Sequence, residues 1–400
     1  MAEFPPELIF EILLRLPPED LLRCSCVSKS WNATIHDKSF IKSHLQRSIQ
    51  TNSFGSLLVT ASVNHDGSEL KFSNIYNDGT IERAMGIGQS PLQDVEGRNP
   101  FPYTLVSSNG IICIRTETPD RVEEIVLWNP SIRKFKKIPS PTFEQPPSSD
   151  TYLHRHYGFG YDSANDDYKL LGIAMFFVNW DMNIVVHQYQ IYSLKSNSWR
   201  KTKYMPRDEL HFVLSEIVFS NGALSWQAYN VLDKKSYVVT FELASEKYHW
   251  FPNRPVDRDG DFWSLEVLGD SLCAARWRTR DAWIMKEHGS WTLLYSIARG
   301  NVFEPWFWKP VRLSKNGESV LVQIDFRKFV WFDLEKKSWK QLEIGGLHDD
   351  VNFTSTICTR SLCLLDGDPV IVQRSTSPSN KGKRQEGILD PVVEENANIE

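Results

Sequence analysis

The chain is 400 residues long, 41% hydrophobic and 24% charged, with a formal net charge of −5. That length exceeds one small domain and leaves room for a large core. The acidic balance gives no electrostatic reason to expect nucleic acid as a partner, and no run reaches the ~20 apolar residues of a membrane span. Pro5-Pro6-Glu7-Leu8-Ile9 opens a short apolar helix, which Pro17-Pro18 ends. Within it Leu8, Ile9, Ile12, Leu13 and Leu16 fall in an arc of roughly 140° at about 100° per residue. Phe10 and Leu14 lie outside that arc, so the helix is apolar on more than one face. A unit this small has too little interior to bury all of that surface, and the surplus is expected at an interface. A second helix starts at Glu19-Asp20-Leu21-Leu22, and a third at Val27-Ser28-Lys29-Ser30-Trp31. Asp37 is an N-cap for a fourth, with Phe40, Ile41, His44 and Leu45 on one side.

The segment PPELIFEILLRLPPEDLLRCSCVSKSWNATI, within about residues 4–45, closely resembles the F-box. That module docks substrate receptors on Skp1-type adaptors of cullin–RING ubiquitin ligases. The resemblance rests on the Pro before helix one, the ILLRLP helix end, the acidic-Leu-Leu start of helix two and the VSKSW entry to helix three. It implies an adaptor-docking role for Pro6, Leu8, Ile9, Ile12, Leu13, Leu16, Pro17, Leu21, Leu22, Val27 and Trp31. Some of these must also hold the head together, so the set mixes core and interface.

Near Thr51 the period changes to short alternating strands broken by Asn-Gly, Asp-Gly, Gly-Asp and Pro turns, and this continues to about Gln373. Fourteen Trp, thirteen Tyr and twenty-two Phe suit packed sheets. A degenerate repeat recurs. Leu127-Trp128-Asn129-Pro130 leads to Phe135, Ile191-Tyr192-Ser193-Leu194 to Trp199, and Thr240-Phe241-Glu242-Leu243 to Tyr248 and Trp250. Ala282-Trp283-Ile284-Met285 leads to Trp291, and Trp331-Phe332-Asp333-Leu334 to Trp339. Each copy reads as two strands about a tight turn, with its two aromatics facing neighbouring sheets. Asn109-Gly110, Asn221-Gly222 and Gly269-Asp270 supply the positive φ of hairpin turns. Blades of this size point to a β-propeller.

LWNPSIRKFKKIP, YGFGYDSANDDYKLL, IYSLKSNSWRK, AWIMKEHGSWTLLYSI and VWFDLEKKSWKQL, as an ordered set, resemble the plant F-box-associated domain, a kelch-like module. The regular Gly-Gly pairs of true kelch repeats are missing. The expected architecture is therefore a small all-α F-box helical head (1–48), an all-β kelch-like propeller of about six irregular blades (51–373) and a disordered tail (375–400). Pro139 to Asp150, rich in Pro and Ser, reads as a mobile excursion. Lys381-Gly382-Lys383-Arg384 reads as part of the solvated tail rather than a targeting signal.

No catalytic pattern stands out. Cys24-Ser25-Cys26 has the wrong spacing for a zinc site and no second pair. The six cysteines read as reduced packing residues. His154 and His156 share a strand face but lack a ligand shell. Asp162, Asp166 and Asp167 fit a polar turn better than a calcium loop. No Gly-x-Ser-x-Gly elbow and no Gly-rich phosphate loop occurs. The start MAEFPPELIF lacks the features of a secretory signal, so a cytoplasmic and/or nuclear setting is expected. The chain is expected to be non-catalytic and to need no cofactor or metal. As the resemblance implies, it would dock on a Skp1-type adaptor, and through it a cullin–RING ligase, and select an unknown target protein through propeller loops. A propeller binding a glycan or small ligand outside the ligase is the alternative. Trp306-Phe307-Trp308 and Phe262-Trp263 are candidate target contacts, with packing between blades as their plainer use.

Overall fold

Residues 5–51, 53, 55–63, 67–74, 85–86, 102–117, 123–144, 151–178, 183–202, 210–212, 216–230, 232–252, 263–276, 280–287, 289–297, 307–344, 352–365 and 371–372 are described by the structure, a computed structural model. Helix α1 (Pro6–Leu13) and helix α2 (Pro18–Cys24) each begin on a proline, where a missing N–H costs nothing. Glu19 and Asp20 then place negative charge in the first turn of α2, where the helix dipole favours it. Helix α3 (Lys29–Ile35) is capped by Ser28, whose hydroxyl accepts the Trp31 N–H at 3.1 Å. Helix α4 (Lys38–Thr51) has the expected cap. The Asp37 carboxylate accepts the Ser39 and Phe40 N–H groups at 2.9 and 3.2 Å. Hydrogen bonds from the Ser39 hydroxyl and these amides hold the Asp37 carboxyl below the usual range.

The inner faces of the four helices meet through Leu13, Leu21, Ile35, Phe40 and Ile41. The same apolar cluster continues without a break into Leu127, Ile132, Leu194, Leu362 and Leu365 of the β domain. Phe10 packs edge-on against Phe40, with ring centroids 5.3 Å apart. Leu14 is buried as well. These two residues, expected as surplus surface, are instead covered within the chain. The head is too small to bury its own apolar residues, and the β domain completes the cover.

The described strands form six antiparallel sheets. The innermost strands, Phe353–Thr359, Pro102–Ser108, Thr151–Asp162, Val218–Ser220, Trp263–Leu268 and Trp308–Leu313, touch one another in that order and return to the first, a closed ring. This is a β-propeller. The first blade is built from both ends of the domain, Phe353–Thr359 pairing antiparallel with Gly55–Val63. Gln323 helps lock this closure, donating to the Phe353 carbonyl at 2.7 Å and accepting from the Ser355 hydroxyl at 2.8 Å.

The five repeat copies lie one in each of the other five sheets. Trp128 stands directly opposite Phe135, Tyr192 opposite Trp199, Phe241 opposite Tyr248 and Phe332 opposite Trp339. Direct cross-strand partners project from the same face, so the two aromatics of each pair share one side of their blade rather than splitting between two, and Trp339 there stays 42% exposed. In the remaining copy β-bulges shift the register, and Trp291 meets Met285 instead of Trp283.

Asn109-Gly110 and Asn221-Gly222 both have positive φ at the two turn positions, as a two-residue hairpin of right-handed strands requires. In YGFGYD the glycines serve close approach. A Cβ on Gly158 would collide with Ile217, and one on Gly160 with Phe219, both from the next blade. The Pro139–Asp150 segment departs from expectation over its described half. Glu144 and Gln188 exchange hydrogen bonds of 2.9 and 2.6 Å, Gln190 donates to the Thr142 carbonyl at 2.6 Å, and Phe143 is buried. Side-chain amides thus hold residues 139–144 against the third blade, where composition alone read a free loop. The expected tail, 375–400, lies outside the described residues.

Candidate functional site

Around α1 and its trailing turn, at about 100° per residue, the apolar side chains follow the order Leu8, Ile12, Leu16, Ile9, Leu13. Exposure is high at the first two and falls to nothing at the last. Leu8 and Ile12 are 52% and 54% exposed, and Leu13 is 0% exposed. Leu16 and Ile9, between them, are half-buried. The apolar arc is wider than any single surface, so its outer edge faces solvent and its inner edge packs. Val27, on the turn after α2, is 66% exposed. Pro6 is exposed, and Pro17, Leu22 and Trp31 are half-buried.

Leu13 and Leu21 are fully buried within the head's core. Their assignment to a docking surface is therefore corrected: neither can reach a partner unless the helices part. Helical periodicity identified the apolar arc but not which edge of it the rest of the chain would cover.

The head is fastened to the propeller by polar contacts as well as by the shared core. Arg360 Nη1 lies 3.3 Å from Glu19 Oε2, and Lys42 Nζ lies 2.9 Å from Asp166 Oδ1. Asp166 belongs to the turn after the innermost strand of the third blade, and Arg360 follows the innermost strand of the first. The helices therefore sit on the face that bears the turns between first and second strands.

Other sequence candidates resolve as packing. Trp308 is buried, its indole N–H donating to the Tyr295 hydroxyl at 2.8 Å, and Phe307 stacks on Phe326 with centroids 3.8 Å apart. Both are corrected from candidate target contacts to structural residues, since neither presents a surface. Trp306 and Phe262 lie outside the described residues. Asp162 accepts backbone N–H groups of Ala164 and Asn165 at 3.1 and 3.2 Å and meets Lys169 Nζ at 2.9 Å, a turn of the expected kind. Burial, with the nearby charges of His154 and Arg115, pushes the His156 imidazole down to about 4. Among the described residues no group of three or more His, Cys, Asp or Glu is placed to hold a metal ion.

One feature had no sequence signal. A cavity of about 760 Å³ lies between the last turn of α4, Ser48 to Thr51, and the innermost strands. In it Lys309 Nζ stands 3.4 Å from Glu216 Oε2 and 3.5 Å from Glu266 Oε2. Burial raises the Glu266 carboxyl above the ordinary carboxylate range despite the Lys309 charge beside it. Burial opposes the charge on Lys309, but the two carboxylates outweigh it and raise its pKa. These residues are far apart in sequence and come from three blades, so no local motif could announce them.

An apolar helical head is thus fixed to a closed ring of antiparallel blades of four or five strands. Residues 1–43 match the F-box domain, and residues 58–366 match the F-box associated beta propeller domain. The chain belongs to the F-box proteins that carry this propeller, with the general role of a substrate receptor of SCF-type ubiquitin ligases. It is 28% identical over 372 residues to the F-box protein CPR1 of Arabidopsis thaliana, covering 86% of this chain and 85% of that protein. It is 27% identical over 418 residues to the F-box protein At4g22390 of the same plant, covering 97% and 98%. The Arabidopsis F-box/kelch-repeat protein At3g23880 is 28% identical over 308 residues, covering 73% and 79%.

Proposed function

We propose that the head docks on a Skp1-type adaptor through Leu8, Ile12 and Val27, with Pro6, Ile9, Leu16, Pro17, Leu22 and Trp31 at the margins of the contact. The observation that carries this reading is the exposure of three large apolar side chains on so small a unit, two of them one helical turn apart. Leu13 and Leu21 support the surface from beneath. The propeller selects the target on the face opposite the head, which no helix among the described residues covers. Ubiquitin transfer belongs to other subunits. The receptor's contribution is to hold the target at high effective concentration near the loaded enzyme.

Co-purification with a Skp1-type adaptor and cullin tests this, comparing wild type with Leu8→Asp plus Ile12→Asp. Both positions face solvent, so the variant keeps its core. A charge there must be desolvated on docking, and the adaptor should be lost. Adaptor recovery equal to wild type would refute the assignment.

A further inference from the structure

Residues 360–365 belong to no strand or helix, yet Ser361, Leu362, Cys363 and Leu365 are all buried. An irregular segment buried this deeply must find partners for its backbone outside any sheet. They come from two turns of the second blade. Asn129 donates to the Ser361 and Cys363 carbonyls at 3.1 and 2.9 Å, and the Ser131 hydroxyl accepts the Ser361 N–H at 3.3 Å. The Ser361 hydroxyl donates to the Asn109 carbonyl at 2.7 Å. Gly110 leaves the room for this, since a Cβ there would collide with the Ser361 side chain.

The apolar side chains of the same segment complete the core of the head. Leu362 and Leu365 lie in the cluster that holds Leu13, Leu21, Ile35, Phe40 and Ile41 of the helices. Arg360 Nη1 reaches Glu19 Oε2 at the start of α2. Helices of 7 to 14 residues are marginal without such cover. Residues 360–365 directly follow Phe353–Thr359, the strand that closes the ring against Gly55–Val63. Their place beside the head is therefore fixed by closure of the ring.

We propose that residues 360–365 are a latch that makes the order of the adaptor-docking head conditional on closure of the propeller. When the closing strand is displaced, Leu362, Leu365 and Arg360 leave the head together. Leu13 and Leu21 then lose their cover, and the platform beneath Leu8 and Ile12 loosens. A receptor whose ring is still open presents no ordered docking surface. By linkage, an adaptor that binds only the ordered head must in turn hold the latch shut. The latch rests on adaptor docking for its purpose but not for its existence.

Hydrogen exchange on the full chain tests this. The reporters are the Leu14, Ser25 and Ile41 amides, each bonded to a carbonyl one helical turn earlier. Gln323 holds the closing strand at Phe353 and Ser355, the end away from the latch. Gln323→Leu should nevertheless speed the head amides roughly tenfold. Leu362→Val, which deletes a single methylene from the latch, should speed them roughly threefold. Leu224→Ala, in the separate cluster of the third and fourth blades, should speed the amides of Lys235–Glu242 and leave the head amides at the wild-type rate. A saturating Skp1-type adaptor should slow the Ser361 and Cys363 amides at least roughly tenfold. Head amides unchanged in Gln323→Leu, head amides loosened equally by Leu224→Ala, or a bound adaptor that leaves Ser361 and Cys363 unprotected would each overturn the latch. Absence of adaptor binding to wild type would count against docking alone, and the three variants would still decide the latch.

Discussion

The side-chain amide of Asn129 donates to the backbone carbonyl of Ser361, 3.1 Å away in space and 232 residues later in sequence. It donates also to the Cys363 carbonyl at 2.9 Å, while its own carbonyl accepts the Ser131 N–H at 3.0 Å. Asn129 is wholly buried. One side chain thus pins the segment that follows the closing strand across a turn of the second blade. That segment carries Arg360 toward Glu19 of the head. Asn129→Ala leaves these backbone groups buried and unmatched, at ~1–3 kcal/mol for each such group. The expected loss is ~2–4 kcal/mol in a denaturant or thermal melt, with faster hydrogen exchange at Ser131, whose N–H loses its acceptor. An unchanged melt would show that the clamp is dispensable.

The glycines of YGFGYD make a second prediction. A Cβ on Gly160 collides with the Phe219 ring, so Gly160→Ala should cost ~1–3 kcal/mol through overpacking. Combining it with Phe219→Leu should recover part of that loss, because the two changes share one space. Additive effects would contradict the contact.

Acid sensitivity follows from His156. Its imidazole is held down to about 4, first by burial and then by the charges of His154 and Arg115. Burial likewise lowers His44 in the head, against the opposing pull of its Leu16 hydrogen bond. The folded pKa lies below the unfolded value of 6.5, so the unfolded chain binds more protons in between. The stability is present above about 6.5 and is lost as pH falls toward about 4. From pH 7.5 to 5 the His156 contribution should fall by about 2 kcal/mol. Urea denaturation at both values measures it, and His156→Gln should flatten the difference. Identical slopes for wild type and variant would contradict the reading.

Thiol chemistry gives a fourth prediction. All six cysteines are free, Cys26 alone is exposed and Cys24 is half-buried. Burial pushes the thiols of Cys113 and Cys358 up to about 12. Native alkylation should label Cys26 quickly, Cys24 slowly and the remaining four only on unfolding. A bound adaptor should protect Cys26, the neighbour of Val27. Rapid labelling of the buried four would contradict the packing described, and an unprotected Cys26 would contradict the docking surface.

Local signals were legible and long-range ones were not. Asp37 as a cap, Asn109-Gly110 as a turn and Trp128 with Phe135 as a hairpin all depend on residues close in sequence, where spacing dictates geometry. The first blade has no repeat copy because its strands come from opposite ends of the domain. The fate of Phe10, Leu14 and Leu13 depended on what covers the head, which helical periodicity cannot report. The same holds for Lys309, Glu216 and Glu266, which the ring closure brings together. Charge counting treats them as ordinary surface residues.

Titration of the full chain with a purified Skp1-type adaptor tests the central claim most directly. Wild type is compared with Leu8→Asp plus Ile12→Asp and with Leu232→Asp. Leu232 is 78% exposed at a hairpin tip of the propeller and controls for the loss of an exposed leucine elsewhere. Wild type and Leu232→Asp should bind alike, and the α1 variant at least roughly a hundredfold more weakly, as for loss of two central apolar contacts. Equal affinity of all three, with folded propellers throughout, would contradict docking through this face of the head.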